Sequence, residues 1–211
     1  MAVIRPHSDE AVKTYVEELK KQTDRGAGIV ASAVIEEALE FTIKRRLIEL
    51  SNTRAELLFG RMRPLSSFSA KTELGFALGL YDEKLRRVLN LIRDIRNEFA
   101  YNMEATSFDY PTIAKLIDDE RARAEEATKD WMLKQTSRRG VFMLLFFVAT
   151  VLLYAEGAGD IRLKPLAETH TEIFVDLALA VQKHWQAQES TNTTPPGNRN
   201  SPRESTREQK D

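Results

Sequence analysis

Between residues 82 and 101 the apolar side chains Leu85, Val88, Ile92, Ile95 and Phe99 recur at alternating spacings of three and four. An α-helix turns that period into one continuous face, and a face so wide predicts burial against other helices. At about 100° per residue, Arg96 falls on the same arc as Leu89 and Ile92, which aims a permanently charged guanidinium at the edge of the core. It therefore needs a partner. In residues 29–50, Glu37 shares an arc with Val30, Ala33, Val34 and Phe41. An unpaired carboxylate among such side chains is strongly disfavoured. An ion pair of Glu37 with Arg96 is the expectation, with Glu40 or Glu36 as the next partners.

The rest of the chain reads as further helices. Ser8, Asp9 and Glu10 form a start signal for a helix over 11–21, with Val12, Tyr15, Val16 and Leu19 at helical spacing. Gly26 and Gly28 are expected to break it before a longer helix over 29–50. That helix ends on Lys44, Arg45 and Arg46, as the helix dipole favours. Ser51 caps a short helix that stops at Phe59 and Gly60. Arg61 and Arg63 then lie in a loop, Pro64 interrupts, and Ser66 or Ser67 caps a helix reaching Leu78. Gly79 ends that helix and Asp82 starts the central one. Asp109, Tyr110 and Pro111 suggest a cap with proline in the first turn of a helix over 112–129. The carboxylate runs in its later turns, Asp118-Asp119-Glu120 and Glu125-Glu126, read as solvated faces. Residues 141–155 are fifteen consecutive uncharged, mostly apolar residues. A membrane span needs about twenty, so this run reads as a core helix apolar all round. A last helix over 166–186 presents Ile173, Phe174, Leu177, Ala180, Val181 and Trp185. From 187 to 211 no aliphatic residue follows Ala187 and four basic residues balance four acidic ones, so a disordered tail is expected.

The expected fold class is all-α: a single helical bundle of six to eight helices. Its domain spans 8–186, between a disordered N-terminus over 1–7 and the tail over 187–211. No strand-type alternation and no repeat is present.

Composition narrows the function classes. A net charge of −1 gives no global pull toward nucleic acid or membrane, so any basic site is local. The absence of cysteine removes disulfides and thiolate catalysis and fits a reducing cytoplasm. His7, His170 and His184 are far apart and form no ligand spacing, so neither metal nor cofactor is expected. Residues 1–10 lack the apolar core of a signal peptide. No phosphate-cradling glycine loop and no nucleophile–base arrangement stands out, so no catalytic residue is assigned. The helix, glycine turn and longer helix around Gly79 superficially match a helix-turn-helix, with Arg86, Arg87 and Arg93 expected on the exposed side. The wide apolar stripe of the second helix argues against direct DNA reading.

The pieces Leu58-Phe59-Gly60, Pro64-Leu65-Ser66-Ser67-Phe68-Ser69-Ala70-Lys71 and Ile95-Arg96-Asn97-Glu98-Phe99-Ala100 resemble the mannitol repressor family of bacterial all-helical proteins, over roughly residues 29–111. The resemblance implies a cytoplasmic regulator of a sugar-alcohol uptake operon. A repressor that works through a protein partner fits the near-neutral charge, and the expected protein is a non-enzymatic regulatory or interaction module that forms a homodimer. The segment from Arg96 to Tyr101 is also similar to the Arg-Asn-x-x-x-His signature of the HEPN superfamily, whose helical bundles include ribonucleases and toxins. Arg96 and Asn97 match, whereas Tyr101 stands in place of histidine. A tyrosine ordinarily titrates at about pH 10 and serves poorly as a general acid or base at neutrality. The alternative reading is thus a degenerate ribonuclease-like protein that binds RNA, or a toxin or antitoxin partner, without efficient cleavage. The candidate phosphate or partner-binding residues are Arg61, Arg63, Lys71, Arg93, Arg96, Asn97 and Tyr101. No membrane partner is expected.

Overall fold

The computed structural model describes residues 9–128 and 136–158. These form seven helices and, among the described residues, no strand: α1 Asp9–Lys21, α2 Asp24–Arg46, α3 Asn52–Phe59, α4 Phe68–Ala77, α5 Glu83–Tyr101, α6 Pro111–Thr128 and α7 Arg138–Ala158. The all-α bundle is as the periodicity requires. The helix expected over 166–186 and the tails over 1–7 and 187–211 lie outside the described residues.

Several ends fall where the side chains dictate. The hydroxyls of Ser51 and Ser67 accept from the N–H groups of Arg54 and Ala70, and the Asp82 carboxylate accepts from Leu85, each satisfying an N–H that the helix itself leaves unpaired. Gly79, at φ 67°, takes the left-handed conformation that ends α4. Pro111 opens α6, where its missing N–H costs nothing.

The expected break at Gly26 and Gly28 does not occur. Thr23 caps α2 through a bond from the Gly26 N–H, and Asp24 adds a negative charge to the first turn. Both glycines therefore lie inside α2. Gly28 is there for space: a Cβ on it would stand 2.5 Å from the Phe99 ring, so the bare backbone lets α2 and α5 approach closely. The helix also stops at Arg46 rather than at residue 50.

The core sits where α2, α5 and α7 meet, with α4 and α6 closing two sides and α1 lying against α2 and α7. Leu85, Val88, Ile92, Ile95 and Phe99 are all buried. Phe108, in the loop before α6, packs edge-on to Phe99 at 5.3 Å and against Phe142 of α7 at 4.7 Å. That aromatic chain joins three segments across the middle of the molecule. Residues 141–146, 148–150 and 153 of α7 are buried, as an all-round apolar helix must be. No helix among the described residues is long and apolar enough to cross a membrane.

Polar groups fasten the ends of these helices. Arg138 binds Asp118 of α6 at 2.7 Å and Asp109 at 2.6 Å, so Asp109 serves α7 as an ion-pair partner. Arg139 binds Asp24 and donates to the carbonyls of Leu19 and Gln22, capping the end of α1. Asp24 in turn accepts the Phe108 N–H at 3.0 Å. The acidic run of α6 is accordingly not a plain solvated face: Asp118 anchors α7, and Glu120 is buried, reached by Arg123 at 3.0 Å and Arg87 of α5 at 3.6 Å.

Candidate functional site

The pair expected between Glu37 and Arg96 does not form. Glu37 is exposed and lies on the side of Tyr15 and Tyr154, where its charge, after burial, is the second cause raising both phenols above their ordinary range. The physical reason is the register of α2. Its buried face is centred on Ala27, Ala31, Ile35, Ala38 and Thr42, which leaves the arc of Val30, Ala33, Glu37 and Phe41 at the rim.

The cation built into the core is instead Lys71. Only 5% exposed, it projects from α4 onto α2, with its Nζ 3.0 Å from Glu36 and 2.9 Å from Glu40. Lys44 binds the same Glu40 at 2.6 Å. Burial pulls the Lys71 ammonium down, but hydrogen bonds and charge from Glu40 and Glu36 outweigh it and hold the group above its ordinary value. Burial likewise pushes the Glu40 carboxyl up, and Lys44 and Lys71 more than reverse that. Lys71 is thus engaged in joining α4 to α2 and is not free to bind an external phosphate.

The remaining candidates divide between α5 and a loop. Arg93 is held by Asn90 at 2.7 Å and Asp94 at 2.8 Å, and it reaches Ser69 in the first turn of α4 at 3.3 Å. Arg86 and Arg87, expected on the exposed side, are half-buried. Arg86 binds Glu73 and Glu83, while Arg87 faces Glu120. The helix-turn-helix likeness therefore offers no free basic row.

Arg96 differs from these neighbours. It is half-buried, and its one hydrogen bond among the described residues runs from Nη1 to Asn97 Oδ1 at 3.1 Å. No carboxylate neutralises it there. Asn97 and Tyr101, four residues apart, share one face of α5. Tyr101 is 81% exposed and Met103, just beyond the helix, 80%.

The turn that carries these two side chains is firmly tied. Arg25 of α2 donates to the carbonyls of Asn102 at 2.7 Å, Met103 at 3.0 Å and Ala105 at 2.7 Å. Asn102 donates to Glu98 at 2.8 Å and to the Tyr110 hydroxyl at 3.0 Å. Sequence reasoning missed Arg25. The signal that could have found its helix is Thr23-Asp24, a capping residue followed by an acid.

A cation, an amide and a phenol thus line the C-terminal half of α5, beside an exposed thioether. Such a surface can hold an anionic or carbonyl-bearing partner group and stack against it. Arg61 and Arg63 lie elsewhere, exposed on the loop between α3 and α4, and among the described residues no hydrogen bond or ion pair joins them to α5. Among the described residues no group of three or more metal-ligating side chains occurs. Searches of family models, of curated proteins and of solved structures return no match to this chain.

Proposed function

We propose that this chain is a non-enzymatic regulatory or interaction module, similar to the mannitol repressors, that acts through a protein partner and as a homodimer. The single observation that carries the reading is the C-terminal half of α5. Among the described residues Arg96 has only Asn97 for a hydrogen-bond partner, next to a rigidly held turn that displays Tyr101 and Met103. An exposed tyrosine beside a half-buried arginine, on a pre-organised support, is a combination from which binding hot spots are made.

The test is genetic. Deletion is expected to raise expression from a sugar-alcohol uptake operon reporter. The unmutated protein restores repression and Arg96→Ala does not, although both melt at the same temperature. Equal rescue by the variant would remove α5 as the working surface.

The second reading is an RNA-binding, degenerate HEPN-type protein, favoured by the Arg96–Asn97 contact at the matching positions. Binding of single-stranded RNA that weakens steeply between low and moderate salt supports it over the first. Robust cleavage by the unmutated protein, without a Tyr101→His substitution, would contradict both readings.

A further inference from the structure

The chain as a whole carries a net charge of −1, yet residues 44–63 hold six basic residues (Lys44, Arg45, Arg46, Arg54, Arg61 and Arg63) against two acidic ones, Glu49 and Glu56. The fold gathers this segment at one end. Lys44 Nζ sits 4.8 Å from the centre of the Phe59 ring, which brings the end of α3 against the last turns of α2. The Leu65 N–H donates to the Leu58 carbonyl at 2.9 Å, closing the following loop back onto α3. Within α3 only Phe59 is buried, so the helix rides on the outside of the bundle.

Three large aliphatic side chains project from the same unit. Ile48, in the loop before α3, is 76% exposed; Leu57, on α3, is 50% exposed; Met62, in the loop after it, is 91% exposed. Met62 is also the one described non-glycine residue with positive φ, at 58°, a conformation uncommon for such a side chain. Arg54, Arg61 and Arg63 have no carboxylate partner among the described residues and are exposed.

We propose that α3 and its two flanking loops form a docking surface for an anionic lipid bilayer, with the arginines on the headgroup phosphates and Ile48, Leu57 and Met62 in the upper acyl region. The charge is complementary, and a positively charged surface carrying protruding aliphatics is what an interfacial contact requires. A nucleic acid is the less suitable occupant, because the one aromatic ring in the segment, Phe59, is buried and leaves no platform for base stacking. A surface contact of this kind needs no spanning helix. It is also independent of the reading given to α5.

The experiment is co-sedimentation of the full chain with vesicles of phosphatidylcholine containing about one third phosphatidylglycerol, beside pure phosphatidylcholine vesicles and a single-stranded RNA oligonucleotide. The chain is expected to pellet with the anionic vesicles only, and moderate salt to release it. In the R61E/R63E variant the partition coefficient falls about fivefold or more for each charge lost. Met62→Asp, at a side chain with almost no contacts, is expected to reduce partitioning several-fold without changing the melting temperature. Absence of sedimentation, sedimentation indifferent to both variants, or variant-sensitive binding to the RNA but not to the vesicles would each overturn the proposal. The Arg96→Ala variant, which lies outside this surface, partitions as the unmutated protein does, so the two readings fail separately.

Discussion

Lys71 shows how one residue's role depends on what surrounds it. In the sequence it is a lysine beside a serine-rich loop, a plausible contact for an anion. In the fold it is buried between Glu36 and Glu40. Removing one member of a buried ion pair leaves the others uncompensated. Because the two carboxylates keep 31% and 27% of their side chains in solvent, the loss is smaller than for a fully dry pair, and Lys71→Ala is expected to cost about 2 kcal/mol by urea unfolding. The same cluster sets a pH dependence. Glu40 is held below the ordinary carboxyl value of 4.5, so its contribution is complete above that pH and is lost as pH falls through its folded value. Lys71 is held above its ordinary 10.5, so its contribution is complete below that pH and disappears as pH rises through its folded value. Lys71→Met should therefore flatten both limbs of the stability profile. A variant that keeps the same acid-side slope would show that Glu40 draws its stabilisation from Lys44 alone.

At the scale of elements, the start of α7 is held by several ion pairs and hydrogen bonds from other elements. A helix N-terminus disfavours positive charge, yet Arg138 and Arg139 open α7. Each is offset by acids from other elements, Asp109 and Asp118 for the first and Asp24 for the second. The Arg138 hydrogen bonds hold the Asp118 carboxyl below its ordinary value. Arg139 also satisfies three carbonyls near the end of α1. Arg139→Ala is expected to destabilise by about 2 kcal/mol, because several half-buried acceptors lose their donor together. Lys115→Ala removes an exposed pair with Asp119 and should change stability by about 0.5 kcal/mol or less. Equal effects in the two thermal melts would mean that the arginine contacts are no stronger than surface pairs. These ends were hard to read from sequence, since partners such as Asp24 and Arg139 are 115 residues apart.

For the molecule as a whole, the aromatic chain Phe99–Phe108–Phe142 locks the loop before α6 into the shared core of α5 and α7. Phe108→Ala leaves a cavity at that junction and is expected to cost about 3–5 kcal/mol, measured by chemical unfolding. Helix content, the amphipathic stripe of α5, the caps at Ser51, Ser67 and Asp82 and the burial of most of residues 141–153 in α7 were legible in the residues themselves. They depend on periodicity and on contacts within a few positions, which sequence displays directly. The start of α2 was misplaced because Gly26 and Gly28 look like a break when the Thr23 cap on the first and the Phe99 ring against the second are unseen. The rim position of Glu37, the burial of Lys71 and the lack of a carboxylate partner for Arg96 among the described residues could not be read in advance. Helical spacing says which residues share a face, but only the packing of α4 and α5 onto α2 decides which carboxylate meets which cation. Local order was thus written in the chain, whereas the pairing of its buried charges followed from the angles and registers at which the helices met.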